Sequence, residues 1–368
     1  MSTKKDKFSL KDKNYMRLAL NLARARNGLT GENPSVGCVI VKNDKIISIG
    51  QTGYNGRPHA EYNAIKNSLE KINGSKMYVT LEPCNHYGKT PPCTKIIIQS
   101  GINEIYYSID DIDKKVKGKS FKILSNKNIK VTKGLLKEEA KIFYKPYKIN
   151  RINKLPYVIG KIAISKNKVI YSEGNNKITD RVSDKLTHYL RFKNDALLIS
   201  SKTLNIDDPQ LNCRLKGFEK FSPIRVILDK NLKIDLKSNI FKSAKKNNTI
   251  IFHNSSNTLK TKILKKRHIN LIKMKHSKYN QFDLKTVLKK LYKLGVRNLL
   301  VEGGDDLTKN FIKSRLINQF YLFKSTKILS KSKKHVIFTS LNILNKIYSK
   351  KLKFNSKLGK DTITIYKR

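Results

Sequence analysis

Two stretches of the sequence indicate the fold and chemistry of this chain. They are Pro58-His59-Ala60-Glu61 and Leu81-Glu82-Pro83-Cys84-Asn85-His86-Tyr87-Gly88-Lys89-Thr90-Pro91-Pro92-Cys93. Together they supply one imidazole, a carboxylate two residues after it, and two thiols separated by eight residues. Imidazole and thiolate groups are ligands that zinc prefers, and three protein ligands leave one tetrahedral position open, as in catalytic zinc sites. The pattern therefore predicts a catalytic zinc ion held by His59, Cys84 and Cys93.

Glu61 indicates which reaction the predicted zinc site catalyses. In zinc-dependent nucleobase deaminases, His and two Cys hold the metal, and a Glu that is not a ligand moves protons. Glu61 would take a proton from the activated water and pass it to the ring nitrogen and the departing amine. The usual signature ends in Pro-Cys-x-x-Cys, so the longer spacing here is a departure. The alternative is that His59 is a surface histidine and that Cys84 and Cys93 are ordinary buried thiols. It is disfavoured because these residues and Glu61 occur together in two short motifs. A structural zinc is also disfavoured, because Cys38 and Cys213 offer no obvious fourth ligand.

Apolar periodicity around these stretches alternates between helix and strand, which predicts an α/β fold. Such alternation indicates a mixed or largely parallel sheet covered by helices, with functional loops at the strand ends. In the first third we expect a hairpin that turns at Asn43-Asp44. The predicted elements are a helix at 15–26, hairpin strands at 36–41 and 45–50, a helix from 59, a strand at 76–81, a helix at 94–100 and a strand at 104–108.

A basic, weakly apolar run at 148–154 predicts a boundary between two domains, 1–150 and 151–368. The second domain alternates again between strands and helices. The strands are predicted at 157–164, 196–200, 224–228, 248–252 and 298–301, and the helices at 183–192, 284–294 and 307–312. Glu302-Gly303-Gly304 lies between a strand and a helix, where free backbone amides can bind a phosphate, although a plain turn is equally compatible. The segment 203–209 is expected to be a loop that could line a polar pocket.

Composition limits the possible functions. The 368 residues suffice for two domains, and four unevenly spaced cysteines do not form a disulfide framework, so we expect a reducing, cytoplasmic setting. No apolar run reaches membrane-spanning length, so no membrane association is expected. The net charge of +51 raises the alternative of an RNA-binding base deaminase. Lysine far outnumbers arginine and is spread along the chain, which favours compositional drift over specific nucleic-acid binding.

The first-domain motifs resemble those of the bifunctional riboflavin-biosynthesis proteins, in which a pyrimidine deaminase is fused to a pyrimidine reductase. The resemblance rests on residues 33–41 (Asn-Pro-Ser-Val-Gly-Cys-Val-Ile-Val), 58–61 and 80–93 and spans nearly the whole chain. It implies a cytidine-deaminase-like three-layer domain followed by a dihydrofolate-reductase-like domain. It also implies deamination of a diamino-ribosylamino-pyrimidinone 5'-phosphate, reduction of its ribose to ribitol, one zinc ion per chain, NADPH as cofactor, and a homo-oligomer.

The resemblance assigns roles to individual residues. In the first domain, Asn33 positions the base, and His86 and Lys89 lie in the loop that covers the phosphate. Lys89 replaces a common arginine, which keeps the charge and loses the bidentate fork. In the second domain, the substrate-binding positions are Asn176, Arg191, Leu211, Arg214 and Glu302, and the NADPH-binding positions are Ala163, Thr203, Asp207 and Gly304.

The second domain departs from the family pattern beside the expected nicotinamide site. The family's Ala-Ser-Leu-Asp-Gly-Arg motif is Ile-Ser-Lys-Asn-Lys-Val at residues 164–169, although Lys161 just upstream is retained. The family's tryptophan near residue 176 is missing, and the chain contains no tryptophan. These changes leave open a second hypothesis, in which only the deaminase acts and the second domain is a structural scaffold.

Overall fold

A computed structural model describes residues 7–174, 177–246, 248–275, 281–330, 334–348, 350–355 and 359–368. The chain divides into two units, Met1–Lys154 and Leu155–Arg368. The predicted boundary after residue 150 lies inside a helix, Lys145–Asn153, so the run expected to link the domains is mostly helical. No helix in the described part of the chain is both long and apolar enough to cross a membrane.

The sheet of the first unit consists of β1 (Gly37–Lys42), β2 (Lys45–Gln51), β3 (Lys76–Val79), β4 (Glu104–Tyr107) and β5 (Lys130–Lys133). Among the described residues these five strands follow the order β2-β1-β3-β4-β5. β1 is antiparallel to both of its neighbours, and β3, β4 and β5 run parallel. The sheet is therefore mixed, as predicted, and the carboxyl ends of three parallel strands lie at one edge.

The hairpin between β1 and β2 turns at the predicted residues. Asn43 and Asp44 both adopt left-handed backbone conformations, with φ of 49° and 60°. Two consecutive positive φ values are what a two-residue hairpin turn requires, because the turn must match the twist of the strands. Asparagine and aspartate tolerate this conformation better than most residues, so the local sequence determines the turn.

Helices cover both faces of this sheet and produce three layers. In β1, Val39 and Val41 pack with Met16 on one face, while Cys38 and Ile40 lie in a separate core on the other face. This alternation follows from the two-residue period of a strand. The helices of the unit are α1 (Leu10–Arg26), α2 (Ala60–Lys66), α3 (Cys93–Gln99), α4 (Lys119–Ser125), α5 (Lys137–Phe143) and α6 (Lys145–Asn153).

Two glycines let helices approach the hairpin closely. A Cβ atom on Gly37 would overlap the carbonyl oxygen of Ala19 in α1. A Cβ atom on Gly50 would overlap the carbonyl oxygen of Ala60 at the start of α2. The hairpin thus packs backbone to backbone between two helices, and this contact sets the position of the first turn of α2.

The second unit is a larger α/β body. Its main sheet has nine strands among the described residues, seven of them parallel and two antiparallel at one edge. The strands of the unit are β6 (Tyr157–Ile164), β7 (Val169–Ser172), β8 (Ala196–Ser200), β9 (Ile224–Leu228), β10 (Thr249–His253), β11 (Asn270–Lys273), β12 (Asn298–Glu302), β13 (Gln319–Lys324), β14 (His335–Ile337), β15 (Lys350–Asn355) and β16 (Thr362–Lys367). The order of the main sheet is β11-β10-β9-β8-β12-β6-β13-β16-β15, and β7 pairs with β14 separately.

Helices pack on both faces of the main sheet in the second unit. One core joins Val287 and Phe311 to strand residues such as Val158, and the other joins Leu204 and Leu264 to the opposite face. The segment 203–209, predicted to be a loop, is largely helical. The helices are α7 (Arg181–Phe192), α8 (Ser201–Asp207), α9 (Asn239–Lys242), α10 (Thr258–Lys266), α11 (Leu284–Lys293), α12 (Asp305–Lys313) and α13 (Leu341–Ile347).

The glycine contact under α2 generates a stability prediction. We expect Gly50→Ala to lower the free energy of unfolding by about 1–3 kcal/mol, because the added methyl group forces the helix away from the strand. Urea unfolding followed by circular dichroism measures the change. Ile46→Ala, at an exposed position of the same strand, is the control and should change stability far less. Equal stability of the Gly50→Ala and wild-type proteins would contradict the close contact.

Candidate active sites

Three potential zinc ligands converge from different parts of the first unit. His59 immediately precedes α2, Cys93 is the first residue of α3, and Cys84 lies in the loop between β3 and α3. The Nδ1 atom of His59 lies 3.3 Å from Sγ of Cys93 and 3.5 Å from Sγ of Cys84. Tetrahedral zinc bonded to nitrogen and sulfur at about 2.0–2.3 Å requires ligand atoms to lie roughly 3.5 Å apart. The three residues therefore fit a zinc ion.

The pKa values of the two thiols are shifted in opposite directions. The backbone N–H of Cys93 donates a hydrogen bond to Sγ of Cys84 at 3.3 Å. Hydrogen bonds from Cys93 and His59 lower the pKa of Cys84 to about 4, despite its partial burial. The interaction with Cys84, together with burial, raises the pKa of the Cys93 thiol. The lowered pKa of Cys84 favours its thiolate, which is the form that binds a metal.

Glu61 lies in the first turn of α2, and its side chain is buried. Burial raises the pKa of Glu61 to about 7, with a smaller lowering by His59 and a further raising by Cys84. A carboxyl group with such a pKa exchanges protons readily near neutral pH. The group of potential metal ligands found among the described residues consists of His59, Cys84 and Cys93, and Glu61 lies beside it.

A cavity of about 130 Å³ opens onto this group and is lined by His59, Glu61 and Cys84. Asn33 and His86, both predicted from the sequence to bind substrate, also line it. The side-chain amide of Asn33 donates a hydrogen bond to the carbonyl of Gly56 at 3.0 Å. The Nδ1 atom of His86 is buried and has no hydrogen-bond partner among the described residues.

Lys89 is the predicted first-domain residue that lies apart from this cavity. Its side chain is exposed, and it does not belong to the wall of the cavity. Two arginines that sequence reasoning missed, Arg57 and Arg151, do line it. Nη1 of Arg57 lies 3.4 Å from Nε2 of His59. Arg57 adjoins the Pro58-His59 stretch, which is a local signal, whereas Arg151 is too distant in sequence to be found this way.

Glu82 holds the loop that forms another part of the wall. Its buried carboxylate accepts hydrogen bonds from the backbone N–H groups of Asp111, Gly118 and Ser120 at 3.1, 3.0 and 3.2 Å. Burial nevertheless raises the pKa of Glu82. The restrained loop carries Asp111 and Asp113 into the cavity wall. Sequence reasoning missed these roles, although a carboxylate immediately before Pro83 in the quoted motif was an available signal.

The second unit contains a cleft of about 370 Å³ beside the carboxyl ends of β6, β8 and β12. Ligands of open α/β sheets bind at such strand ends. Seven of the predicted residues line the cleft. Four are cofactor positions, Ala163, Thr203, Asp207 and Gly304, and three are substrate positions, Arg191, Leu211 and Glu302. The fold thus brings together positions that are far apart in the sequence.

A buried ion pair organises the substrate side of the cleft. Nε and Nη2 of Arg191 donate hydrogen bonds to the two carboxylate oxygens of Glu302 at 3.0 and 2.9 Å. This bidentate geometry suits the planar guanidinium group. Lys161 lines the same cleft, and burial lowers the pKa of its amine. The ion pair and this amine therefore lie together in the wall of the cleft.

The cofactor side of the cleft fits a phosphorylated dinucleotide. Gly304 immediately precedes α12, and its backbone N–H donates to Oγ1 of Thr203 at 3.2 Å. A Cβ atom on Gly304 would meet nothing nearer than 3.8 Å, so the backbone there is open to a ligand. The amide of Gly304 is engaged by Thr203, whereas the following amides begin α12, and backbone N–H groups at the start of a helix bind anions such as phosphate. Burial raises the pKa of Asp207, also in this wall, to about 6.

The altered segment at 164–169 retains a defined turn. Ser165 donates from Oγ to Oδ1 of Asn167 at 2.6 Å, and the side-chain amide of Asn167 donates to the carbonyl of Leu329 at 2.8 Å. Ile170 and Tyr171 follow the turn and line the cleft. The described part of the cleft wall therefore includes an aromatic side chain, Tyr171, although the tryptophan typical of the family is missing.

One predicted position among the described residues, Arg214, is not brought into the cleft wall. Arg214 is exposed, and Nη1 donates to Oδ1 of Asn212 at 2.9 Å. It is absent from the residues that line the cleft. Asn176 lies outside the described residues.

The fold and sites define a class of protein, a zinc-dependent deaminase joined to a reductase. Family profiles agree with both halves. Residues 9–109 match the cytidine and deoxycytidylate deaminase zinc-binding region, and residues 156–363 match the RibD C-terminal domain.

The chain belongs to the RibD family of riboflavin-biosynthesis proteins. It is 36% identical over 361 residues to the riboflavin biosynthesis protein RibD of Aquifex aeolicus, covering 97% of this chain and 98% of that protein. It is 33% identical to the RibD protein of Buchnera aphidicola, covering 96% of this chain and 97% of that protein. A solved deaminase/reductase from Thermotoga maritima, 29% identical, superimposes with a TM-score of 0.81 and covers 97% of this chain and 98% of its own.

Family membership confirms several expectations. The chain is a bifunctional enzyme of riboflavin biosynthesis with hydrolase and oxidoreductase activities, and its cofactors are zinc and NADPH. The predicted fold class is also confirmed, with a cytidine-deaminase-like first unit and a dihydrofolate-reductase-like second unit. The two alternatives, a deaminase with a structural scaffold and an RNA-binding base deaminase, are not favoured.

The geometry of the metal group predicts the effect of removing one ligand. We expect Cys84→Ala to reduce bound zinc from one ion per chain to a small fraction of that, because a thiolate ligand is lost. Metal analysis of the purified protein measures this. Cys213→Ala, which removes another buried thiol in the second unit, should leave the zinc content unchanged. Full zinc occupancy in the Cys84→Ala protein would contradict the assigned ligand set.

Proposed function

We propose that the first unit deaminates a diamino-ribosylamino-pyrimidinone 5'-phosphate to the corresponding uracil and that the second unit then reduces its ribose to ribitol with NADPH. The observation that carries the proposal is the convergence of Glu61, the three potential zinc ligands and two substrate candidates around one cavity. The Thermotoga protein is described as a diaminohydroxyphosphoribosylaminopyrimidine deaminase and 5-amino-6-(5-phosphoribosylamino)uracil reductase, which supports the same two steps here.

In the proposed deamination, His59, Cys84 and Cys93 hold zinc. When bound, the metal supplies Lewis-acid activation of water and substrate. Glu61 takes one proton from the attacking water and delivers it to the ring nitrogen, and then carries the second proton of that water to the leaving amine. The buried position of Glu61 supports this role, because a carboxyl group with a pKa of about 7 both accepts and releases protons. Ammonia is the second product.

Three residues are proposed to bind the rest of the deaminase substrate. Asn33, whose amide is already oriented by Gly56, positions the base. His86 offers to the substrate a buried nitrogen that has no hydrogen-bond partner in the described part of the chain. Lys89 is proposed to contact the phosphate, and its exposure requires the loop around it to approach the bound substrate. Arg57 is a cation already in the cavity wall, so it is a further candidate for the phosphate.

In the proposed reduction, Ala163, Thr203, Asp207 and the backbone of Gly304 would hold NADPH. The cofactor would supply the hydride that reduces the opened ribose to ribitol, so the sugar must be held beside it. The substrate positions proposed for this are Asn176, Arg191, Leu211, Arg214 and Glu302. The buried pair of Arg191 and Glu302 supports the assignment, because paired groups keep fixed positions for the hydroxyl groups of the sugar chain.

The proposal also covers the domain bounds, the location and the partners of the protein. We place the deaminase in residues 1–150 and the reductase in 151–368, with the helix Lys145–Asn153 across the boundary. A cytoplasmic location is supported by the four unpaired cysteines, since a reducing compartment keeps thiols free. A small phosphorylated pyrimidine is the substrate, and specific binding to nucleic acid and association with membranes are not part of the function. A homo-oligomer is proposed from family resemblance alone.

The proton-transfer role of Glu61 has a direct test. We expect Glu61→Gln to reduce ammonia release from the pyrimidine phosphate by at least about 10²-fold, because general acid–base catalysis is lost. Zinc content should stay near one ion per chain, which metal analysis checks. Glu70→Gln, a matched change at an exposed position of the same unit, is the control. Unchanged turnover in the Glu61→Gln protein would overturn the assignment.

We expect the second unit to consume NADPH when the deaminated intermediate is supplied. The absorbance of the nicotinamide band measures this consumption. Thr203→Val should raise the KM for NADPH by about tenfold, because the hydroxyl that orients the Gly304 amide is removed. Thr261→Val in α10 is the matched control. A wild-type protein that neither binds nor oxidises NADPH would refute the reductase proposal and leave the deaminase proposal standing.

A further inference from the structure

The first unit contains a second cavity, of about 800 Å³, that neither proposed reaction uses. It lies beside the carboxyl ends of β3, β4 and β5, where Leu81, Ser108 and Lys133 contribute to its wall. Helices α5 and α6 supply much of the rest. Its volume falls within the range of about 300–1,000 Å³ that is typical of small-molecule sites.

The wall of this cavity combines apolar side chains with a large excess of positive over negative charge. Isoleucines and tyrosines form an apolar interior, which includes Ile149, Tyr144 and Tyr147. Six of the seventeen lining residues are lysines, and Asp110 is the single acidic residue among them. Asp110 is already engaged, because it accepts a hydrogen bond from the hydroxyl of Tyr107 and lies 3.6 Å from Nζ of Lys133. The cavity therefore complements an apolar body that bears a negative charge.

A buried hydroxyl in the wall points to an absent hydrogen-bond partner. Ser108 lines the cavity and is 1% exposed. Its Oγ atom has no hydrogen-bond partner among the described residues. Leaving a buried polar group unsatisfied costs about 1–3 kcal/mol, so such groups usually meet a ligand or an ordered water. This observation is independent of the lysine content of the chain.

The second cavity shares part of its wall with the zinc cavity. Leu81 and Tyr147 line both cavities. The hydroxyl of Tyr147 donates a hydrogen bond to Oδ1 of Asp111 at 3.1 Å, and Asp111 belongs to the wall of the zinc cavity. The guanidinium of Arg151, also in that wall, lies 5.3 Å from the centre of the Tyr147 ring. A molecule packed against Tyr147 would therefore change the surroundings of the deaminase substrate.

We propose that this lysine-rimmed cavity is a binding site for a small organic anion with an apolar, aromatic body, and that its occupant modulates the deaminase through Leu81 and Tyr147. The apolar interior holds the body of the ligand, Ser108 donates a hydrogen bond to it, and exposed lysines such as Lys137 and Lys148 attract its charge. Because the two sites share a wall, binding at one changes the affinity at the other, and the coupling is reciprocal.

The binding half of the proposal is tested with the full chain and two fluorescent probes. Anilinonaphthalene sulfonate carries the charge, and N-phenylnaphthylamine is its neutral counterpart. Lys137→Glu/Lys148→Glu should weaken binding of the sulfonate roughly tenfold and leave the neutral probe almost unaffected. Ile152→Trp, at an exposed position of the cavity wall, should obstruct both probes.

The matched control is Lys289→Glu/Lys293→Glu in α11, which makes the same charge change at exposed residues outside the cavity. It should leave binding of the sulfonate within about twofold of wild type, because distant surface charges are screened by salt. Sulfonate binding that is unaltered by both cavity variants, or that is weakened equally by the control, would overturn the proposed site.

The coupling half is tested by ammonia release. A saturating concentration of the sulfonate should change the KM for the pyrimidine phosphate in the wild-type protein by at least about twofold, and not in the Ile152→Trp protein. A KM that does not respond in wild type, or that responds equally in both proteins, would overturn the coupling. The direct binding measurements do not depend on deaminase activity, so they remain informative if the proposed reaction is wrong.

Discussion

The close contact between α2 and the β1–β2 hairpin is the constraint on which the deaminase site depends. Because Gly50 has no side chain, the backbone of Ala60 rests directly on the strand. This contact sets the first turn of α2, which carries Glu61 and follows His59. Glu61 is buried in this turn, and burial raises its pKa to about 7. The position of α2 on the strand and the burial of its first turn therefore act together in the site.

Both units use a buried carboxylate near the end of a parallel strand to organise a site. Glu82, after β3, accepts three backbone hydrogen bonds, and Glu302, the last residue of β12, pairs with Arg191. A buried charge is tolerated only when hydrogen bonds or an opposite charge replace its lost water. The two units meet this requirement differently, and in each case the result is a cavity at the carboxyl ends of the strands.

The buried acidic groups that organise the active sites are distinct from the exposed lysines that supply much of the positive charge. The chain has 78 basic and 27 acidic side chains, and the acidic groups that organise the sites, such as Glu61 and Glu82, are buried. Surface lysine content can therefore vary with little effect on these groups, since exposed charges interact weakly through water. Within the altered 164–169 segment, the side-chain amide of Asn167 links the turn to the carbonyl of Leu329.

Much of the sheet could be predicted from local sequence. The strands Tyr157–Ile164, Ala196–Ser200 and Ile224–Leu228 have the predicted bounds, because apolar runs bounded by polar or turn residues define a strand locally. The helix Ser201–Asp207 was missed, since it buries Leu204 but otherwise carries mostly polar and exposed side chains. The strand Lys130–Lys133 was also missed, because its lysines conceal the short apolar pattern.

The sequence by itself determined the zinc chemistry, because His59, Glu61, Cys84 and Cys93 occur in two short motifs whose residue types suit one reaction. Tertiary structure alone decided which distant side chains share their cavity. It placed Arg151 in the cavity wall and Lys89 outside it. The physical reason is that contacts between residues far apart in sequence depend on how helices and strands pack, and no local pattern encodes that packing.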